Sequence, residues 1–240
     1  MQLWICPIIA FLLGSIPFGL IIARLKGIDI RAHGSGNIGA TNVLRVVGKK
    51  YGITCLILDA LKGYLPVLLA LNLVRIEGST PSPLLGFLDS AALTLPAPEA
   101  MKGQLIHVFT ALCAILGHNY SPWVGFKGGK GIATSAGVVL GLMPMVVLFL
   151  LVVWILLFLT TRYVSVASIG AAAVLPLLTH LDARLQKNAA GISAWDAGTW
   201  SKPLLVFSIL IGILAIWKHR GNLQRLRAGT ENRFTRNKTS

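Results

Sequence analysis

The chain is 240 residues long, 55% hydrophobic and only 12% charged, with a mean hydropathy of +0.73 and a net charge of +14. That is too apolar for a soluble domain of this size, which leaves a membrane protein. Nor does the charge read as a nucleic-acid surface, because it is confined to segments between apolar runs: 24–50 holds six Lys/Arg against one Asp, Lys127, Lys130 and Arg162 follow, and the tail from Lys218 holds seven Lys/Arg against one Glu.

In chain order the apolar runs are 3–23, 53–74, 104–117, 132–161, 163–180 and 203–217. Several approach the ~20 residues that cross ~30 Å of hydrocarbon. None alternates as a barrel strand does, so helices are predicted. The first run lacks a basic leader and a small-residue cleavage site, and reads as a retained helix rather than a secretory signal. Cys6, Cys55 and Cys113 are odd in number and lie in apolar runs. They read as packing residues, not as a disulfide framework or metal ligands.

The positive-inside rule places 24–50, 118–131 and 218–240 in the cytoplasm. The outer loops are then 75–103 and 181–202, whose charges cancel. With the N-terminus outside, the last three apolar runs give one crossing too few or too many. The run 132–161 is longer than one crossing needs and is interrupted by "GLMP", where Pro144 breaks the helical ladder. Two readings stand: a hairpin of short helices, which restores the parity and gives seven helical segments, or one tilted helix with an odd element elsewhere. The charge distribution favours the hairpin, although 132–142 would span only ~16 Å. Pro66 and Pro176 are candidate kinks. The fold class is an all-α integral membrane protein, N-terminus outside and C-terminus cytoplasmic, forming one domain over 1–240.

Three cytoplasmic segments carry the polar chemistry. In "HGSGNIGATNVLR", 33–45, the spacing G-x-G-x-x-G follows a membrane helix and not a strand, which argues against a dinucleotide fold. Gly34, Gly36 and Gly39 let backbone N–H groups converge on an anion, Ser35, Asn37, Thr41 and Asn42 supply neutral donors, and Arg45 a planar fork. The plainer reading is a polar loop with topogenic arginines. "FKGGKGIAT", 126–134, misses the Walker A register because Lys130 stands where a glycine is required. Gly128, Gly129, Lys130 and Gly131 nonetheless open onto a helix expected near Ile132, whose N-terminus favours an anion; otherwise they form a flexible turn with interfacial lysines. His118 and Asn119 read as caps of the preceding helix. In "WKHRGNLQRLRAGTENRF", 217–234, His219 and Asn222 share a face if the last helix continues, Arg220, Arg225 and Arg227 suit lipid phosphates, and Glu231 is placed to orient a basic side chain. Asp59 and Lys62 lie at i, i+3 inside the second run, as a structural ion pair or as functional charges. No nucleophile, metal cluster or H-x-x-x-x-D motif accompanies these loops, so neither covalent nor metal catalysis is supplied with parts, and no cofactor or metal is expected.

The blocks "GSGNIGATNVLR", "LDALKGYLPV", "GHNYSPWVGFKGGKGIAT", "RYVSVASI" and "HRGNLQRLRAGTENRF" closely resemble those of the bacterial acyl-phosphate:glycerol-3-phosphate acyltransferases, the PlsY type. The resemblance covers nearly every polar segment, in the family's order. It implies a compact bundle of seven helices in the bacterial inner membrane. It also implies transfer of a fatty acyl group from acyl phosphate to the 1-hydroxyl of glycerol 3-phosphate, giving lysophosphatidic acid and phosphate, with substrates and membrane lipids as partners. Functional association with the enzyme that makes acyl phosphate is compatible with it. Carried over by residue, the catalytic set is Ser35, Arg45, Lys130, His219, Asn222 and Glu231. The substrate-binding set is Gly36, Asn37, Gly39, Thr41, Asn42, Asn119, Gly128, Gly129, Gly131 and Ser168. The outer loop 75–103 is longer than in compact members. Two other classes compete: a transporter of phosphate or an organic anion, which would bind near the midplane, and a membrane-surface scaffold, which would need only the basic tail.

Overall fold

The computed structural model describes residues 2–186 and 191–234. They form two compact units, Met1–Pro144 and Met145–Ser240.

The first unit starts with α1 (Gln2–Ser15) and α2 (Phe18–Arg24). The first apolar run is therefore interrupted at Ile16 and Pro17, where the expected single helix breaks. Pro17 brings no N–H to the ladder, and the Ile16 carbonyl instead accepts from Lys62 Nζ at 2.7 Å. The short α3 (Ala40–Val46) follows, then α4 (Lys49–Leu73), α5 (Ala100–Asn119) and α6 (Ile132–Leu142). Glycine determines how closely these helices approach. A Cβ at Gly14 or Gly117 would overlap the backbone of Ala114 or Phe11, joining α1 to α5, and one at Gly63 or Gly137 would overlap Thr134 or Ala60, joining α4 to α6. Small residues at the seam are how membrane helices gain packing where lipid removes the hydrophobic drive. Pro66 is accommodated within α4.

Between α4 and α5 the chain makes a small feature that hydropathy does not announce. Strands β1 (Val74–Ile76) and β2 (Leu93–Leu95) pair in parallel, Val74 opposite Leu93. His107 of α5 bonds the Val74 carbonyl at 2.7 Å and so ties the pair to the helix end.

The second unit holds α7 (Pro144–Thr161), α8 (Val164–Leu185), α9 (Lys202–Lys218) and α10 (Arg220–Arg227), with α8 packed on α9. The break between α6 and α7 falls at Met143, beside the proline that predicted it. Leu148, Leu151, Leu156 and Leu159 of α7 are exposed, as expected of a lipid-facing helix. Among the described residues, Trp4–Arg24, Lys49–Leu73, Ala97–Val124, Pro144–Thr161 and Val164–Leu185 are long and apolar enough to cross a membrane. Taken as one span, the bent pair α9 and α10 would be a sixth, and the short α6 is a further apolar segment. The chain is a multi-pass membrane protein.

Candidate active site

The first unit brings two of the three polar segments onto one apolar cluster. Ile38 and Val43 of the first segment are buried there with Leu20, Ala23, Ile30 and Cys55, and Val124, which leads into the second, packs against the same cluster.

Asn42 organises the first segment. Its side chain is buried, and the amide donates to the carbonyls of Ile30 and His33 at 3.2 and 3.0 Å. Its Oδ1 accepts the Ser35 N–H at 2.9 Å. Expected as a donor to substrate, Asn42 instead has its amide engaged in closing the loop 30–42 on itself. Asn37 Oδ1 likewise accepts the Gly39 N–H at 2.8 Å, an Asx turn at the mouth of α3. Ser35 and Gly36 are exposed, Thr41 is half-buried within α3, and Arg45 is exposed in that helix's last turn. Nearby, the Arg31 guanidinium and backbone N–H hold the Asp29 carboxyl down at about 2, so Arg31 is bound to a carboxylate.

The second segment leaves α5 through His118 and Asn119, both buried within its last turn rather than outside it as caps. Ser121 donates to the Ser15 carbonyl at 2.6 Å, and Trp123 Nε1 to Ser15 Oγ at 2.8 Å. Those bonds pin the turn to the end of α1. Gly125 and Phe126 are both left-handed, at φ 62° and 61°. Phe126 is 63% exposed, and its N–H donates to the Ser121 carbonyl at 2.9 Å, which holds this left-handed turn. The Gly129 N–H donates to the His118 carbonyl at 3.2 Å. Gly131, at φ 80°, is the N-cap of α6 and sits against Asn119 Oδ1. The helix thus begins at Ile132, as expected, with Lys130 half-buried two residues before it and Gly128 and Gly129 leading in.

In the second unit the centre is Glu231. Its Oε1 accepts from Asn222 Nδ2 at 2.6 Å and from Ser165 Oγ at 2.8 Å, and its Oε2 from Arg225 Nε at 2.8 Å. Burial pushes this carboxyl up, but the bonds from Asn222, Ser165 and Arg225 outweigh it and hold the group ionised below the usual glutamate value. The last helix does not continue straight as the spacing of His219 and Asn222 assumed. It bends by 50° at His219, whose Nδ1 bonds the Ala215 carbonyl at 2.8 Å while the Asn222 N–H donates to the His219 carbonyl, also at 2.8 Å. The two residues are still neighbours, through a corner instead of a shared helix face. Ser168 is buried in α8 and accepts from Trp154 Nε1 at 3.1 Å.

Sequence reasoning missed Ser165, although it stands three residues before Ser168 on one helix face. It also missed that His118 belongs with the buried charges, its Nδ1 lying 3.7 Å from Asp59 Oδ1. Among the described residues no group of three His, Cys, Asp or Glu side chains is placed to hold a metal ion.

Residues 4–229 match the family described as "Glycerol-3-phosphate acyltransferase". The chain belongs to this family. It is 43% identical over 227 residues to the glycerol-3-phosphate acyltransferase of Aquifex aeolicus, covering 95% of this chain and 96% of that one. The Geobacter sulfurreducens member is 44% identical over 227 residues, with 94% of each chain covered. Among solved structures it is similar to PlsY (YgiH), an integral membrane glycerol 3-phosphate acyltransferase, in its glycerol 3-phosphate form: TM-score 0.76, 38% identity, 98% of this chain and 96% of that one. The lysophosphatidic acid form of PlsY matches with a TM-score of 0.74. In this family member the glycine-rich loops of the first unit and the Glu231 cluster of the second are, each within its own unit, the candidate polar groups.

Proposed function

We propose that this chain transfers a fatty acyl group from acyl phosphate to the 1-hydroxyl of glycerol 3-phosphate, releasing lysophosphatidic acid and phosphate. The observation that carries the reading is its 38% identity over 98% of the chain to PlsY in the glycerol 3-phosphate form. Each unit supplies phosphate ligands suited to it. From the first, the N–H groups of Gly128, Gly129 and Gly131 with Lys130 take the phosphate of the donor at the N-terminus of α6, and Arg45 with the Ser35 loop takes that of the acceptor. From the second, Ser168, whose oxygen already accepts from Trp154, donates a hydrogen bond from its hydroxyl to the donor phosphate, and His219 and Asn222 bind the acceptor. Asn37, Gly36, Gly39 and Thr41 shape the first loop, Asn42 clamps it and Asn119 supports Gly131. Glu231 holds Asn222.

Acyl phosphate is an activated donor, so the glycerol hydroxyl attacks the acyl carbon directly while the carbon–oxygen bond to phosphate breaks. The hydroxyl proton passes to His219 or to the departing phosphate. Alignment of two bound phosphates supplies proximity, and the surrounding N–H donors stabilise the oxyanion. The whole chain acts as one acyltransferase domain in the bacterial inner membrane, with 24–50, 118–131 and 218–240 facing the cytoplasm. The concentration of basic charge in those segments supports this reading over a transporter, whose anion site would lie at mid-membrane.

The test is phosphate release from acyl phosphate by the purified protein. Release that requires glycerol 3-phosphate is expected; release independent of it, or glycerol 3-phosphate uptake into vesicles without acylation, rejects the reading.

A further inference from the structure

Inside the first unit a pair of charges stands where a membrane protein has least reason to keep one. Asp59 and Lys62 of α4 are 2% and 5% exposed, and their ion pair measures 2.8 Å. Replacing such a buried pair by apolar side chains of similar size is commonly neutral or stabilising, so fold stability alone does not account for it. What distinguishes this pair is what it touches. Lys62 Nζ also donates to the Ile16 carbonyl, at the break between α1 and α2. Asp59 Oδ1 faces His118 Nδ1 at 3.7 Å, and Asp59 Oδ2 accepts from Cys55 Sγ at 3.7 Å.

The other edge of the His118 ring leads to the glycine-rich loop. A Cβ on Gly129 would overlap His118 Nε2, and one on Gly128 would overlap the His118 carbonyl. The same carbonyl accepts the Gly129 N–H. The imidazole is thus held between a buried carboxylate at Nδ1 and the backbone of the loop at Nε2. At 3.7 Å the carboxylate contact is electrostatic rather than a hydrogen bond, and in a buried setting its charge biases the ring's orientation. The loop's two glycines are fitted to that orientation.

We propose that Asp59 and Lys62 are positioning residues for acyl transfer, orienting His118 so that it seats Gly128 and Gly129 and thereby aims the phosphate-binding loop that ends in Lys130. This rests on the reading of 127–131 as the donor-phosphate loop. Asp59 acts through His118, and Lys62 balances the charge that does so.

The informative variant is the neutral pair Asp59→Asn with Lys62→Met, which leaves no buried charge unpaired. The expected result is an unfolding temperature in detergent close to that of the unmodified protein, with KM for acyl phosphate raised about tenfold and KM for glycerol 3-phosphate within twofold, because a loop displaced by a fraction of an ångström loses its ligand geometry. His118→Gln should raise KM for acyl phosphate comparably, and adding it to the neutral pair should raise it no further, since residues acting through one another are not additive. Unchanged KM and kcat in the neutral pair, or effects of the pair and of His118 that multiply, overturn the proposal. If the neutral pair does not fold, Asp59→Glu keeps the charge and the partner but moves the carboxylate relative to the ring; unchanged KM for acyl phosphate there overturns it equally. Lys130→Ala, assayed alongside, separates the two levels. Near-normal activity in Lys130→Ala removes the phosphate loop itself and this proposal with it, whereas an inactive Lys130→Ala beside a kinetically normal neutral pair removes the proposal alone.

Discussion

Substituting Glu231 tests whether one carboxylate holds the second unit's part of the site together. Its side chain is 6% exposed and accepts three bonds, from Asn222, Ser165 and Arg225. A hydrogen bond to a charged group contributes ~1.5–3 kcal/mol net. The Arg225 side chain is 40% exposed, so its bond is discounted to ~0–1 kcal/mol as a surface pair. Glu231→Ala should therefore cost about 3–7 kcal/mol of local stability, leaving buried donors on Asn222 and Ser165 unsatisfied. Glu231→Gln can keep its amide oxygen toward those two, but as neutral bonds of ~0.5–1.5 kcal/mol each, and loses Arg225, for about 2–4 kcal/mol. Because the contact closes a terminal segment, the loss should appear as local opening rather than global unfolding. Hydrogen exchange is the assay. The Phe234 N–H donates to the Arg162 carbonyl and the Asn222 N–H to that of His219. Their protection should fall by about 10²-fold or more in Glu231→Ala and by a smaller factor in Glu231→Gln. The folded carboxyl titrates below its ordinary 4.5, so its contribution is complete above that value and is lost as pH falls through the folded pKa. Protection corrected for intrinsic exchange should be flat above pH ~5 and decline only in acid. Unchanged protection in Glu231→Ala would show that the carboxylate holds nothing.

Much of the membrane architecture was legible because hydropathy and proline are local signals. The six apolar runs correspond to helices, and Pro144 marked the break between α6 and α7 correctly. The same rule applied at Pro17 would have found the break between α1 and α2, which a uniformly apolar run concealed. What composition could not carry were contacts distant in sequence. β1 and β2 pair through a parallel register that neither three-residue strand encodes alone. Ser165 reaches Glu231 across 66 residues, and the direction in which Asn42 points its amide depends on Ile30 and His33 carbonyls whose positions only the folded loop fixes. Residue types told where phosphate chemistry was concentrated. They did not tell which polar side chains support the loops from behind.

The two glycines of the second segment should respond oppositely to alanine. Gly129→Ala drives a Cβ into His118 and should abolish acyl transfer, whereas Gly125→Ala meets nothing within 4 Å and carries only the left-handed penalty of ~1–2 kcal/mol; equal activities of the two, measured by phosphate release, would mean the loop is not seated on His118. Asn42→Ala removes three bonds and should cost about 2–4 kcal/mol, read as a lower unfolding temperature with loss of protection at the Ser35 N–H, which its Oδ1 now holds. The last prediction concerns a covalent intermediate, for which Ser35 is the one candidate, exposed on a loop whose backbone Asn42 fixes. A serine nucleophile needs a base to take its proton, and the loop's fixed contacts engage the Ser35 N–H rather than activate its hydroxyl. Direct attack by glycerol 3-phosphate therefore predicts intersecting double-reciprocal plots and no label on protein after incubation with labelled acyl phosphate alone. Loss of activity in Ser35→Ala fits either route and decides neither. Parallel plots with label that forms on Ser35 and discharges at the turnover rate would establish the covalent route and refute direct transfer.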